Sequence, residues 1–472
     1  MKTREQNSGR RGQPPRLVVS VIDPVAKVLA AGGRVPKKFV KARPISAGPT
    51  MEQAEAQAKV TPARRVAFEI LTLVEAGKGH SDDLLRGPRM EELADPDKHL
   101  ATALVMGVLR WQIALDARVR TLLDRPDQRI AESVALVLRM GAFQLIHMDR
   151  IPPHAALSES VELCRAAGNP HATGMVNAIL RKIASAQKPG ERIFESTAAF
   201  SERLGHPLWL VERWVRDYGR AAALKICESD QEEPGRGGLF AAEDAAATGQ
   251  VLPEIDDGSR LVAELAAAAA PQVEGRPTKV WDCCAAPGGK TLMLARRLEA
   301  AEILATDISA KRMSAMKGRL RRYPYAANVQ TAVLEAAKLP DGAGLFDLIL
   351  CDVPCSGTGT LGRNPEIRLR LKEEEFARQA TRQREILAAA LKRLAPGGRL
   401  VYSTCSLEPE ENEGVIDQVA QGFKRVAVAE LMVSLPGLGD RGGLLRDGAL
   451  RTLPGVNACD GFYAVVLERP VQ

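Results

Sequence analysis

The sequence predicts an all-α N-terminal half followed by an α/β domain built on an open, doubly wound, mostly parallel sheet. Two patterns predict it. From Pro62 to residue 228 apolar residues recur at helical spacing, and after residue 277 short apolar runs alternate with helical segments. A third observation concerns function. Small and polar residues of chemical interest follow the apolar runs directly, where open α/β sheets bind ligands.

Residues 1–57 are rich in Gly, Pro and Arg, lack a helical period and read as a basic, disordered tail. In the next segment Val66, Ile70, Leu71 and Val74 share one helical face. Further helical segments are expected at Leu100–Leu115, Ile130–His147, Leu157–Ala167 and Met175–Ile183. Pro152-Pro153 punctuates the series, because paired prolines cannot continue a helix. These segments make 58–200 an all-α domain. Residues 201–276 read as a linker and a reduced small subdomain, with Trp209, Leu210 and Trp214 on one helical face. The α/β domain spans 277–472. Its expected strands are Lys279–Cys283, Glu302–Thr306, Val329–Leu334, Leu345–Cys351, Arg399–Ser403 and Phe462–Leu467. Its expected helices are Thr291–Ala300, Ser309–Arg322, Glu373–Leu394 and Glu411–Gln421.

Composition narrows the function classes. The net charge is +7, yet residues 1–50 carry 11 Lys/Arg against 2 Asp/Glu, so the rest of the chain is near neutral. The tail is either disordered or a non-specific phosphate binder. No apolar run approaches the ~18 residues of a membrane span, the longest being Leu261–Pro271. With no secretory signal pattern, a cytoplasmic protein with reduced thiols is expected. The cysteines form no Cys-x-x-Cys pair, so no structural metal is expected. All six histidines lie between His80 and His206. The C-terminal half therefore holds no Ser-His-Asp triad, and its proton transfers must use carboxylate, thiol, lysine or water.

The first strand closes on Asp282 and runs into the loop Cys284-Ala285-Ala286-Pro287-Gly288-Gly289-Lys290. Glycines there let backbone approach a ligand closely. The second strand ends at Asp307, 19 residues after Gly288, where an acid can accept hydrogen bonds from a ribose. Together these suggest an adenosine-containing cofactor. Asp307 alone could equally be an acid favoured by a helix dipole. Gly289-Lys290-Thr291 resembles the end of a P-loop, but Cys284 stands where that motif needs its first glycine.

Two cysteines lie after later strands: Cys355 in Asp352-Val353-Pro354-Cys355-Ser356, and Cys405 in Ser403-Thr404-Cys405-Ser406. A lone cysteine is usually a small buried hydrophobe. Two in polar loops at strand ends are harder to explain as core, and the topology points both into one cleft. Such a pair suits a pyrimidine. A thiolate added at C6 of cytosine makes C5 able to attack an electrophilic methyl, and a carboxylic acid at N3 would stabilise the charge that develops. A second thiol would serve as acid/base when the first is expelled.

At these residues the chain resembles the Sun (Fmu) family of RNA cytosine-C5 methyltransferases, and within it the bacterial 16S rRNA branch. The matching strings are Cys284–Lys290, Asp352–Ser356 with Val353 for the usual Ala, Thr404–Ser406, Glu410-Glu411-Asn412 and Asp460-Gly461-Phe462. Ile255–Ser259 resembles the string that precedes the family's cofactor domain. Arg150–Leu157 and Met175–Arg181 resemble strings of the family's NusB-like helical domain. The resemblance implies a Rossmann-like catalytic domain using S-adenosyl-L-methionine and a monomeric RNA-binding protein without membrane or metal partners. It implies Cys405 as nucleophile, Cys355 as the helper in product release and Asp352 at the target base. Lys290 would lie near the reacting centre and Asp307 at the cofactor ribose. The acid expected in the third cofactor loop is replaced by Ala336, with Glu335 adjacent as a possible substitute.

Positive charge for RNA is expected on Lys311, Arg312, Lys317, Arg319, Arg321 and Arg322, or on Arg363–Lys372 beside the cleft. The foremost expectation is methyl transfer to cytosine C5 in 16S rRNA. The alternatives are the same chemistry on tRNA or another rRNA, and a non-catalytic ribosome-assembly protein.

Overall fold

The computed structural model describes residues 51–125, 128–186, 195–233, 235, 238–240, 252–435, 438 and 443–471. The tail expected at 1–57 lies mostly outside them, but Met51–Ala58 is helical, so order begins before residue 58.

The helices Pro62–Glu75, Asp95–Arg120, Glu132–His147, Pro153–Ala166 and Thr173–Ser185 pack around Ile70, Leu104, Val137 and Leu180. Among the described residues Asp95–Arg120 is the one helix long and apolar enough to cross a membrane by length and composition, a test that a buried core helix also passes. In this fold it packs against Pro62–Glu75 and Glu132–His147, burying Leu104, Val105, Val108 and Leu109. Gly107 allows the close crossing with Glu132–His147, since a Cβ there would lie 1.9 Å from the Phe143 ring.

The helix expected over 201–228 breaks into Thr197–Arg203, Leu208–Tyr218 and Arg220–Ser229. His206-Pro207 forces the first break. Gly219 makes the second with φ +84°, a backbone that other residues rarely adopt. These helices bury Leu210 and Trp214 against Leu361, Phe376 and Leu407 of the α/β domain, not against the bundle.

The sheet contains β1 (Lys279–Asp282), β2 (Glu302–Asp307), β3 (Val329–Val333), β4 (Phe346–Asp352), β5 (Leu394–Thr404), β6 (Lys424–Val426), β7 (Leu445–Arg446), β8 (Ala449–Arg451) and β9 (Tyr463–Glu468). Its order is β3-β2-β1-β4-β5-β9-β8-β7, with β6 paired to β9. Strands β1 to β5 are parallel and β9 is antiparallel to β5. Alternate residues face opposite layers. Val280, Leu348 and Val401 meet the helices Asp257–Ala268, Gly289–Arg297 and Ala310–Leu320. Trp281, Ile349 and Tyr402 meet Glu374–Lys392 and Glu413–Val419. Strand order reverses between β1 and β4, so the crevice beyond their carboxyl ends is the natural ligand site.

Candidate active site

The loop after β1 is held by its neighbours on both sides. Ala285 N–H donates to the Thr306 carbonyl at 2.9 Å, and Gly288 adopts φ +95° with the Met316 side chain where a Cβ would sit. Helix Gly289–Arg297 starts immediately and buries Thr291, whose hydroxyl donates to Asp282 at 2.6 Å. Burial pushes the Asp282 carboxyl up to about 7, although the Thr291 hydrogen bond works the other way. Cys284 is kept as a thiol by its hydrogen bond with Cys283 and by burial, both of which raise its pKa.

A cleft of about 740 Å³ opens here, within the range of small-molecule sites. It is lined by the loop residues Cys284–Pro287, Gly289 and Lys290, by Asp282 and Asp352, and by the segment Leu252–Asp257. Asp307 does not line it. Its carboxylate accepts from Ala286 N–H at 3.3 Å and Ser309 N–H at 2.8 Å, and faces Arg312 at 3.5 Å. The Arg312 guanidinium also donates to the Ala286 carbonyl. Ala336 is buried, and Glu335 pairs with Lys338 at 2.6 Å and is not among the residues that line the cleft.

Lys290 crosses the cleft. Its ammonium lies 2.8 Å from Asp352 and 3.2 Å from the Ser259 hydroxyl, over the Phe462 ring. Burial opposes its charge, but Asp352 prevails and the pKa is raised. Asp352 ends β4 and accepts from Ser403 of β5 at 2.7 Å.

The two thiols meet. Cys355 Sγ and Cys405 Sγ are 3.3 Å apart, and neither forms a disulfide. The Cys405 hydrogen bond, followed by burial, raises the Cys355 pKa well above the usual thiol range. Gly359 N–H donates to the Cys405 carbonyl at 2.9 Å, and Gly461 N–H to the Gly359 carbonyl at 2.7 Å. A Cβ on Gly359 would sit 2.3 Å from the Gly461 carbonyl, so only glycine lets these loops close.

A profile described as 16S rRNA methyltransferase RsmB/F matches residues 268–468, and the NusB family matches residues 61–185. Ribosomal RNA small subunit methyltransferase B of Salmonella newport is 33% identical over 430 residues, covering 84% of this chain and 96% of the relative. The chain belongs to the 16S rRNA methyltransferase RsmB/F family. The Salmonella enteritidis relative of the same name is 33% identical over 440 residues, covering 86% of this chain and 98% of its own. The crystal structure of PH0851 shares the fold, with TM-score 0.64 and 23% identity over 87% of this chain and 99% of the other.

For an RsmB/F methyltransferase, one expected RNA segment is misplaced. Arg368 is buried, and its guanidinium donates to the backbone carbonyls of Arg110, Gly205, Asp230 and Leu361. Arg370 donates to Val74 and Gly79 carbonyls, and Glu366 accepts from Ser81 N–H and hydroxyl at 3.0 and 2.8 Å. The segment after the Cys355 loop is thus a plug joining the α/β domain to the bundle. The reason is geometric: a four-residue helix, Ile367–Arg370, has no outer face of its own once the bundle docks on it. Of that segment, Arg363 does line the cleft, paired with Asp460. The other basic segment lies at the surface. Helix Ala310–Leu320 buries Met313, Met316 and Leu320, and leaves Lys311, Arg312, Lys317, Arg321 and Arg322 exposed.

Sequence reasoning assigns no role to Asp282, Ser259 or Glu411. Ser259 belongs to the family-like string Ile255–Ser259, which is the signal that could have found it. Glu411 is one of four similar acids after Cys405; it and Glu408 are fully buried, and only Glu411 is bonded to the residues that follow both thiols.

Proposed function

We propose that this chain transfers a methyl group from S-adenosyl-L-methionine to C5 of a cytosine in 16S rRNA. The observation that carries the proposal is the 3.3 Å pairing of Cys355 and Cys405 at the sheet edge that also presents Lys290 and Asp352. The cleft suits the cofactor in size, and its loop offers a bare Gly289 and a helix N-terminus beside the carboxylates of Asp282 and Asp352. Gly288, Gly289 and the 284–287 backbone would cradle it, with Asp307 reaching its ribose after Arg312 moves aside. When bound, the cofactor supplies an electrophilic methyl.

Cys405 adds to C6 as the thiolate, turning C5 into a nucleophile. Lys290 keeps its proton and brings positive charge to the side of the ring that gains electrons, while Asp352, fixed by Ser403, orients the base. After methylation Cys405 is expelled and the C5 proton passes to the Cys355 sulfur as that thiol gives up its own proton. Cys355, held protonated 3.3 Å away, returns a proton to the departing sulfur. The target cytosine must leave its stack to reach these atoms.

The test is transfer of tritiated methyl to bacterial RNA resolved by size. Label in small-subunit rRNA, abolished by Cys405→Ala, is the expected result. Label confined to tRNA would overturn the substrate, and label surviving Cys405→Ala would overturn the nucleophile.

A further inference from the structure

Directly behind the two thiols lies a carboxylate with no solvent exposure and, among the described residues, no cationic partner within hydrogen-bonding range. Glu411 Oε1 accepts from Ser356 N–H at 2.9 Å and from the Gln383 amide at 2.9 Å. Glu411 Oε2 accepts from the Ser406 hydroxyl at 2.5 Å and also from the Ser356 hydroxyl. Ser356 follows Cys355 in sequence and Ser406 follows Cys405. One carboxylate therefore grips the residue next to each thiol, from two loops 50 residues apart. Gln383 adds a third anchor, since its amide also reaches the Pro354 carbonyl at 3.0 Å. Asn412 locks the same turn, donating to the Ser406 carbonyl at 2.9 Å.

Burying a carboxylate is costly unless hydrogen bonds satisfy it, and four neutral donors do so here. A glutamate used only for packing could be replaced by an apolar side chain without leaving four donors stranded. The geometry points to a different use. We propose that Glu411 is a positioning residue that sets the distance between the two reacting thiols. This proposal rests on the roles given above to Cys405 and Cys355. The carboxylate holds the Cys355 loop through Ser356 and the Cys405 loop through Ser406, and so fixes the sulfur separation.

The Glu411→Gln variant tests this. The amide keeps the shape and can still accept from Ser356 N–H and Gln383, but its NH2 end cannot accept from two hydroxyls. Methyl transfer under steady-state conditions should fall by roughly ten- to a hundredfold, because a thiol displaced by about an ångström loses its alignment. KM for RNA should stay within about twofold, since Glu411 touches neither substrate. The decisive readout is a covalent RNA–protein adduct that survives denaturing gels. Delayed release of Cys405 makes the adduct accumulate in Glu411→Gln, as it should in Cys355→Ser. A merely structural defect would lower the adduct along with activity.

Wild-type turnover, or lost turnover without adduct while Cys355→Ser still gives adduct, overturns the positioning role. Absence of adduct in both variants, with activity retained in Cys405→Ala, overturns the thiol assignment instead. Should Glu411→Gln fail to fold, Ser356→Ala and Ser406→Ala each remove one grip from the opposite side. Each should raise the adduct by a smaller factor, and no rise in either would sink the proposal.

Discussion

Two arginine-rich segments of this chain look alike in sequence and end in opposite places. Helix Ala310–Leu320 has a buried face of Met313, Met316 and Leu320 and keeps Lys311, Arg312 and Lys317 exposed, although Lys311 pairs with Asp83 and Arg312 with Asp307. Residues 363–372 have almost the same density of charge, yet Arg368 is sealed inside and Arg370 is tied to the bundle backbone. The difference teaches that charge density alone does not mark a nucleic-acid surface. A helix long enough to have two faces keeps most of its cations at the surface. A short, interrupted segment gives them to whatever docks on it, and guanidinium groups suit backbone carbonyls well. Burial lowers the Arg368 pKa to about 10, against the pull of Asp230, and the carbonyls it binds come from three separate regions of the chain.

The contrast can be broken most sharply at Arg368. Arg368→Met should cost about 3 kcal/mol or more in thermal or urea unfolding, because it strands four carbonyls and leaves Asp230 without its neighbouring charge. RNA affinity per folded molecule and its salt dependence should not change. A fall in affinity at unchanged stability would return this residue to the RNA surface.

A smaller effect is expected at His206, packed in the same joint against Asp230 at 3.2 Å and the Leu204 carbonyl at 2.7 Å. Burial and the Arg368 charge depress its pKa to about 4. An unfolded histidine binds its proton near 6.5, so between about 6.5 and 4 the unfolded chain holds more protons than the native one. Stability should therefore fall as pH drops through that window. Urea unfolding at a series of pH values should show a shallower acid limb for His206→Asn. An unaltered limb would mean that other groups carry the acid sensitivity.

The smallest effect on the fold, though not on binding, belongs to the exposed helix. Replacing Lys317, Arg321 and Arg322 together by Ala should leave unfolding within about 0.5 kcal/mol of the parent. It should weaken RNA binding and reduce the salt slope by roughly 0.7 for each single-strand phosphate that is no longer neutralised. Binding measured between low and moderate salt decides it, and an unchanged slope would move the RNA surface elsewhere.

These comparisons also show what the sequence could reveal. The five parallel strands are legible because doubly buried strands are short apolar runs, and their ends determine where Asp282, Asp307, Asp352 and the thiols stand. Strands β6, β7 and β8 are not, being two or three residues long and partly charged. The meeting of Cys355 with Cys405 follows from topology. The state of Asp307, already engaged by Ala286, Ser309 and Arg312, does not, since those hydrogen bonds depend on how the loop and helix turn. The burial of Arg368 and Glu411 is hidden for a similar reason: each is decided by elements far away in sequence.

The small clasp between Gly359 and Gly461 has a consequence in time. The loop that carries Cys405 is pinned to Gly359, and Gly359 is pinned to the residue two positions before β9. Strand β9 must slide in between β5 and β8 before that clasp can form. During synthesis the nucleotide crevice, both thiols and the whole helical bundle emerge well before residue 461. Until residue 461 is in place the Cys405 loop lacks its Gly359–Gly461 anchorage, while the β4–β5 pairing and the Glu411 hydrogen bonds hold the two thiol loops together.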